Sequence, residues 1–194
     1  MNNEHRGADE GQRLGMVVSG SLTEGVGVNL DPGTSVEDVK VGRYITIDGQ
    51  AMRFFGVVTN VSLASTDPNL SRTPPDVSDP YIARVVSGTA AYGAIDVEPM
   101  LTLSKDSVLG IDGPMPAKTV PPHFSQVSLA SDRDVQDVFG SEGDGRFWIG
   151  NPLDMETRLC LDMARFVERS NGVFGKSGTG KTFITRLLLI GILQ

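Results

Sequence analysis

The residues best suited to chemistry form one short run near the carboxyl end of the chain. Positions 175–182 read Gly-Lys-Ser-Gly-Thr-Gly-Lys-Thr, which fits the pattern G-x-x-x-x-G-K-S/T of a phosphate-binding loop, or P-loop. Glycines let successive backbone N–H groups turn toward one polyphosphate, and the following helix adds its positive amino-terminal end. We therefore expect this run to bind a nucleoside triphosphate.

The side chains of the predicted loop have different expected roles. Lys181 is predicted to reach the β- and γ-phosphates and is the candidate catalytic residue, and the Thr182 hydroxyl is predicted to ligate Mg²⁺. ATP and Mg²⁺ are thus the expected cofactors. The predicted cofactor-binding residues are Gly175, Lys176, Ser177, Gly178, Thr179, Gly180, Lys181, Thr182 and Phe183.

The flanking segments have the order that a P-loop requires. The apolar run 171–174 predicts a short buried strand before the loop, and 183–190 predicts a helix after it. That helix is apolar around nearly its whole circumference, so we expect it to be buried on all sides. A flexible loop without a ligand is the alternative, and the strand–loop–helix order favours phosphate binding over it.

Composition and charge restrict the class of protein. The 194 residues carry a net charge of −7 and no basic run, which argues against a strong nucleic-acid-binding surface in this segment itself. The single cysteine, Cys160, cannot form an internal disulfide, and we expect it to be a buried residue in a reducing compartment. Residues 1–13 lack the apolar core of a signal peptide, and the apolar stretch after Thr182 is too short to cross a bilayer. A soluble, cytoplasmic protein is expected, with no membrane partner.

Short alternating apolar runs separated by turn residues extend from about Leu14 to Ile149 and predict a small β-barrel. In 53–63, one strand face is predicted to carry Phe55, Val57, Val61 and Leu63. The other expected strands include 82–86, 108–111 and 146–149. We interpret 66–80, rich in Pro, Asp, Ser and Thr, as a mobile loop.

One helix is expected to interrupt the strands, at 132–139 with Ser131 as its N-cap. Its three aspartates, at 132, 134 and 137, are interpreted as a solvated helix face rather than a metal site. Trp148 is interpreted as part of the barrel core or of a seam between domains.

The fold class that follows is mainly β: a small amino-terminal barrel and then the first part of an α/β, RecA-like P-loop NTPase domain. The expected domains are a disordered tail at 1–13, the barrel at 14–150 and an incomplete P-loop domain at 151–194, which contains a strand at 159–163. A P-loop domain needs a parallel sheet covered by helices on both faces, so we expect the chain to be a fragment of a longer ATPase.

Hydrolysis needs more groups than the loop offers. It requires a second acid for Mg²⁺, a group that orients the attacking water and often an arginine from a neighbouring subunit. The acidic residues of the last segment all precede the loop; they are Asp154, Glu156, Asp162 and Glu168. We therefore expect the chain to bind nucleotide without completing hydrolysis alone.

Several stretches resemble the amino-terminal part of HerA-type ATPases, of the HerA/FtsK superfamily, which begins with the so-called HAS barrel. The most specific is 165–182, Arg-Phe-Val-Glu-Arg-Ser-Asn-Gly-Val-Phe-Gly-Lys-Ser-Gly-Thr-Gly-Lys-Thr. The other similar stretches are Val17-Val-Ser-Gly-Ser-Leu22, Val36-Glu-Asp-Val-Lys-Val-Gly-Arg43, Arg53-Phe-Phe-Gly-Val-Val-Thr59 and Val120-Pro-Pro-His-Phe-Ser125. Together they spread the resemblance over most of the chain.

The resemblance implies a hexameric, ATP-driven translocase or helicase on double-stranded DNA, working with a NurA-type nuclease in DNA-end processing and repair. In that family the barrel serves docking and assembly, and the RecA-like core is the motor, a hydrolase. Gly175, Gly178, Gly180, Lys181 and Thr182 align with the family's phosphate loop. The later-strand acid, the arginine finger and the DNA-facing loops have no counterpart in these residues, so DNA contact is expected through other parts.

Two alternatives stay open. One is a non-enzymatic docking or oligomerisation module in which the P-loop is vestigial. The other is a fragment of a rotary-ATPase-like subunit, since those subunits also place a small β-barrel before a P-loop.

Overall fold

A computed structural model of the chain describes residues 11–66, 75, 76, 78–89, 91–105, 113–143, 145–152 and 154–193. It divides the chain into two compact units, residues 1–130 and residues 131–194. The predicted tail at 1–13 lies mostly outside the described residues, as do the predicted strand at 108–111 and most of the predicted loop at 66–80.

The first unit is built mainly from strands. They are β1 (Arg13–Ser21), β2 (Gly25–Leu30), β3 (Tyr44–Asp48), β4 (Met52–Ser65), β5 (Ala91–Ser104), β6 (Met115–Pro116) and β7 (Gln126–Leu129). A 3₁₀ turn at Val36–Asp38 precedes β3, and helix α1 (Pro80–Thr89) lies between β4 and β5 in the chain.

Six of these strands close into a barrel. Their order is β2-β1-β7-β3-β4-β5, every neighbouring pair is antiparallel, and β5 pairs back onto β2 through Val26 with Val97 and Val28 with Ile95. The short β6 adds to β5 outside this closed ring. Closure gives the paired strands partners on both sides, which removes the exposed edges of an open sheet.

Alternate residues of the strands fill the barrel core, as the period of two requires. Val26, Val28 and Leu30 of β2 show this alternation, since all three are buried. The core residues are Leu14, Val17, Val26, Val28, Leu30, Val39, Ile45, Ile47, Phe54, Val58, Ile95, Val97, Val127 and Leu129.

The single face predicted for Phe55, Val57, Val61 and Leu63 does not run through β4, although Val61 packs against the core. Phe54 and Val58 enter the core, whereas Leu63 is 80% exposed. The register of β4 against β5 shifts between Phe55 and Gly56 and again between Val58 and Asn60. Each such irregularity breaks the period of two, so a single alternating face cannot run through the whole strand. Phe55 is buried, with its ring 4.9 Å from that of Tyr44.

Residues 82–86 form part of helix α1 rather than the predicted strand. The reason lies just before them. The Asp79 carboxylate accepts a hydrogen bond from the Tyr81 N–H at 2.8 Å, and Pro80 occupies the first helical position. An aspartate cap followed by proline starts a helix because proline has no N–H to leave unsatisfied and already has a helical φ.

The described residues of the second unit form one hairpin and three helices. Its elements are α2 (Asp132–Phe139), β8 (Arg146–Gly150), β9 (Leu159–Asp162), α3 (Met163–Val167) and α4 (Lys181–Leu193). The expected helix at 132–139, the strand near 159–163 and the helix after the loop are confirmed. Strand β8 pairs with β9 in an antiparallel hairpin, so the strand predicted at 146–149 belongs to this unit and not to the barrel.

Helix α2 starts with a reciprocal capping box. The Ser131 hydroxyl accepts from the Asp134 N–H at 3.2 Å, and the Asp134 carboxylate accepts from the Ser131 N–H at 2.8 Å. Asp134 is therefore buried instead of belonging to the solvated face that we expected. Asp132, at the surface, accepts a hydrogen bond from the Thr157 hydroxyl. Two of the three aspartates thus stabilise the start of the helix and its contact with the segment before β9.

No helix among the described residues is both long and apolar enough to cross a bilayer.

Candidate phosphate-binding site

The candidate loop connects the end of α3 to the start of α4. Residues 171–180 are irregular and exposed, and α4 begins at Lys181. Gly178 and Gly180 have φ values of 83° and 82°, a left-handed region that other residues rarely adopt. A Cβ added at either glycine would meet nothing within 4 Å, so the space beside them is open. The two glycines thus let the backbone turn twice within three residues.

A tight turn forms the centre of the loop. The Thr179 N–H donates to the Lys176 carbonyl oxygen at 3.4 Å, which closes a four-residue turn over Lys176–Thr179. Gly178 is the third residue of that turn, the position at which a type II turn needs a positive φ. The Thr179 hydroxyl donates to the same carbonyl at 2.7 Å.

The Lys181 ammonium also donates to the carbonyl oxygen of Lys176. The side chain therefore folds back over the loop, although its residue belongs to the first turn of α4. Together with the side chain of Lys176, it places two cationic residues on a short stretch of chain. Such a pair favours an anionic ligand.

The amino-terminal turn of α4 completes the arrangement. The Ile184 N–H donates to the Gly180 carbonyl at 3.0 Å, which fixes the loop glycine at the helix start. The Thr182 and Phe183 side chains are exposed there. The first N–H groups of a helix have no intrahelical acceptor, and the helix dipole makes this end positive. Anions are stabilised at such an end.

Metal-ligating groups are sparse around the loop. Within the described part of the chain, no group of three or more His, Cys, Asp or Glu side chains is arranged to hold a metal ion. The Thr182 hydroxyl could supply one oxygen ligand to Mg²⁺. Mg²⁺ at nucleotide sites usually completes its shell with phosphate oxygens and water, so a single hydroxyl suits it.

The strand predicted at 171–174 is absent. Phe174 is 93% exposed, and no described strand pairs with this segment. The Asn171 side-chain amide instead donates to the carbonyls of Phe166 and Arg169, at the end of α3. These two hydrogen bonds tie Asn171 back to the end of α3, whose last residue is Val167. A strand buried on both faces also needs neighbours, and the described residues provide none.

The far end of α4 packs on the hairpin. Gly191, the buried residue of that helix, lies against the ring of Phe147 in β8. Several large apolar residues of α4 are exposed: Phe183, Leu189, Ile190, Ile192 and Leu193. Within the described residues the all-round burial that we expected for this helix is therefore not found, and its contact with the hairpin comes from one face.

Next to Phe147, Trp148 stabilises the hairpin. Its indole N–H donates to the Gly150 carbonyl at 2.9 Å, and the Arg158 guanidinium lies 5.0 Å from the ring centroid. Arg158 also forms an ion pair with Glu142. Because β8 pairs with β9, Trp148 is part of the second unit and not of the barrel core.

Cys160, in β9, is buried as expected. Burial raises the pKa of its thiol, and the nearby Glu142 carboxylate raises it further, against the opposing effect of Arg158 and Arg146. A raised pKa keeps the thiol protonated and makes it a poor nucleophile, so this residue is a packing residue of the hairpin.

One comparison with known proteins identifies part of the chain. Residues 147–194, about the last quarter, match the family described as Helicase HerA, central domain. No curated protein matches the chain. The match covers the hairpin, the loop and α4, and the closed barrel before it agrees with the HerA resemblance and with the predicted fold class.

Proposed function

We propose that the chain binds the phosphates of ATP through residues 175–183, because residues 147–194 match the HerA central-domain family and a closed barrel precedes them. In this proposal the loop N–H groups and the start of α4 hold the phosphates, and Lys181 neutralises them. Thr182 would ligate the Mg²⁺ that accompanies the nucleotide. The single observation that carries the proposal is the loop before α4, in which Gly178 and Gly180 have positive φ values. Both the loop and α4 lie within the residues that match the HerA family.

The larger role that we propose is that of the amino-terminal part of an ATP-driven DNA translocase or helicase. The HerA family match supports an ATPase relationship. A hexameric ring, a NurA-type nuclease partner and a role in DNA-end processing rest on the family resemblance. With a net charge of −7, this chain is not expected to bind double-stranded DNA by itself.

Binding rather than turnover is the activity that we propose for this chain alone. The loop and α4 offer groups that hold and neutralise phosphates. Hydrolysis also needs a group that orients water and a second acid for Mg²⁺. The phosphate-holding groups can support hydrolysis only together with a water-orienting group and a second Mg²⁺ ligand. The first measurement should therefore be of nucleotide affinity.

The test compares Lys181→Ala with a matched control. Isothermal titration of the full chain with Mg-ATP should detect binding, and loss of one charge-assisted contact, about 1.5–3 kcal/mol, should weaken it by roughly 10–100-fold. Lys118→Ala removes the same charge from an exposed position after β6 in the barrel unit and should change nothing. Absence of binding by the unaltered chain, or equal affinities for Lys181→Ala and the unaltered chain, would refute the proposal.

The docking-module alternative makes the opposite prediction. It requires the barrel to fold and the loop to be inert, so neither Mg-ATP nor tripolyphosphate would bind. The family match favours HerA-type ATPases over the rotary-ATPase alternative.

A further inference from the structure

The carbonyl oxygen of Lys176 accepts more donors than a peptide carbonyl has lone pairs. Three groups converge on it: the Thr179 N–H at 3.4 Å, the Thr179 hydroxyl at 2.7 Å and the Lys181 ammonium. A carbonyl offers two lone pairs. The Lys176 carbonyl therefore still has a hydrogen-bond partner for each lone pair after one of the three donors moves away.

The Lys181 ammonium is the donor that has another task. The ammonium has three N–H donors, of which one contacts the Lys176 carbonyl. If the ammonium leaves that carbonyl to contact a phosphate, the step costs less when the carbonyl keeps a good partner. The backbone N–H at 3.4 Å is a long hydrogen bond, whereas the hydroxyl at 2.7 Å is at the optimal distance for O–H···O. The hydroxyl is thus the stronger of the two partners that remain.

We propose that Thr179 is a positioning residue, whose hydroxyl satisfies the Lys176 carbonyl and so releases Lys181 for the phosphates. This inference rests on the proposed phosphate binding. Without the hydroxyl, the carbonyl retains one long backbone contact, and Lys181 is held at it more strongly. The cost of withdrawing Lys181 is then subtracted from the binding free energy.

Gly175 makes room for this arrangement. A Cβ placed on Gly175 would lie 2.8 Å from the Thr179 hydroxyl oxygen, closer than real Cβ atoms approach another heavy atom. The first glycine of the loop therefore admits the hydroxyl to its position over the turn. Gly175 thus leaves the space that the Thr179 hydroxyl needs to reach the Lys176 carbonyl.

The experiment uses two substitutions that differ in one group. Thr179→Val keeps the branched shape and removes the hydroxyl, and Thr179→Ser keeps the hydroxyl. Each full-length variant is titrated with Mg-ATP and, separately, with tripolyphosphate, after circular dichroism has shown that it is folded. We expect Thr179→Val to bind both ligands about 2–10-fold more weakly, because that is the factor one hydrogen bond contributes. We expect Thr179→Ser to bind them within twofold of the unaltered chain.

The outcomes separate this inference from the proposal beneath it. Equal affinity of Thr179→Val and the unaltered chain would overturn the inference while phosphate binding stands. Equal losses in Thr179→Val and Thr179→Ser would also overturn it, since packing and not the hydroxyl would then matter. If the unaltered chain bound neither ligand, the proposed function would fail and this inference with it.

Discussion

The contact between α4 and the β8–β9 hairpin can be tested by adding one methyl group. A Cβ at Gly191 would lie 2.6 Å from Cδ1 and 2.7 Å from Cγ of Phe147. Carbon atoms in contact prefer about 3.5–4.0 Å, so alanine at this position must displace the ring by roughly 1 Å. The helix itself favours the change, because alanine is preferred over glycine in a helix interior by about 1 kcal/mol.

The two effects have opposite signs, which gives a sharp expectation. Overpacking costs about 1–3 kcal/mol and helix propensity returns about 1 kcal/mol, so Gly191→Ala should destabilise the second unit by about 1 kcal/mol. In a Phe147→Ala background only the contact with the Cβ of residue 147, at 3.2 Å, remains, and the same substitution should stabilise the unit by up to about 1 kcal/mol. The reversal of sign, rather than either value, is the prediction.

The chain contains its own reporter for this measurement. Its single tryptophan, Trp148, is the residue after Phe147 in β8, so urea unfolding followed by tryptophan fluorescence reports on the second unit. The four proteins of the cycle give a coupling energy, expected to be about 1–3 kcal/mol. If Gly191→Ala had the same effect in both backgrounds, within about 0.5 kcal/mol, α4 would not pack on Phe147 as described.

Two further expectations concern the same unit. Asp134→Ala should lower the unit's free energy of unfolding by about 1 kcal/mol, because the capping box of α2 is lost. Asp137→Ala, at an exposed position of the same helix, should change that free energy by less than about 0.5 kcal/mol. Equal effects of the two substitutions in urea unfolding would contradict the capping role. The raised pKa of Cys160 means that the folded thiol keeps its proton where the unfolded thiol, with a pKa of about 8.5, loses it. The free energy of unfolding should therefore fall as pH rises above about 8.5, and this decrease should be smaller in Cys160→Ala. The same dependence on pH in both proteins would contradict the raised pKa.

Some features could be predicted from the sequence because short-range chemistry decides them. The helix after the loop starts at Lys181, as the Gly180-Lys181-Thr182 run predicts. The glycine before it and the residues after it determine this start through neighbouring backbone groups alone. Ser131 caps α2 for the same reason. In the barrel, the alternation of β2 survives because its register against β5 is regular.

Other features had local signals that were interpreted incorrectly. Asp79-Pro80 is a helix start, and the Asn171 side chain bonds back to carbonyls at the end of α3. Both neighbouring segments were nevertheless expected to form strands, because of their apolar residues. In each case a local hydrogen bond from a polar side chain to the backbone accompanies the observed conformation, and the hydrophobicity of the next few residues does not predict it.

The sequence by itself determined which groups could meet a phosphate, because the P-loop is a contiguous run whose glycines and lysine lie within eight positions. Only the tertiary structure decided which face of β4 fills the core, that β8 pairs with β9 instead of the barrel, and that three donors meet at the Lys176 carbonyl. Strand pairing joins residues far apart in the chain, and irregularities shift its period of two. Side-chain hydrogen bonds depend on rotamers that residue types alone do not fix.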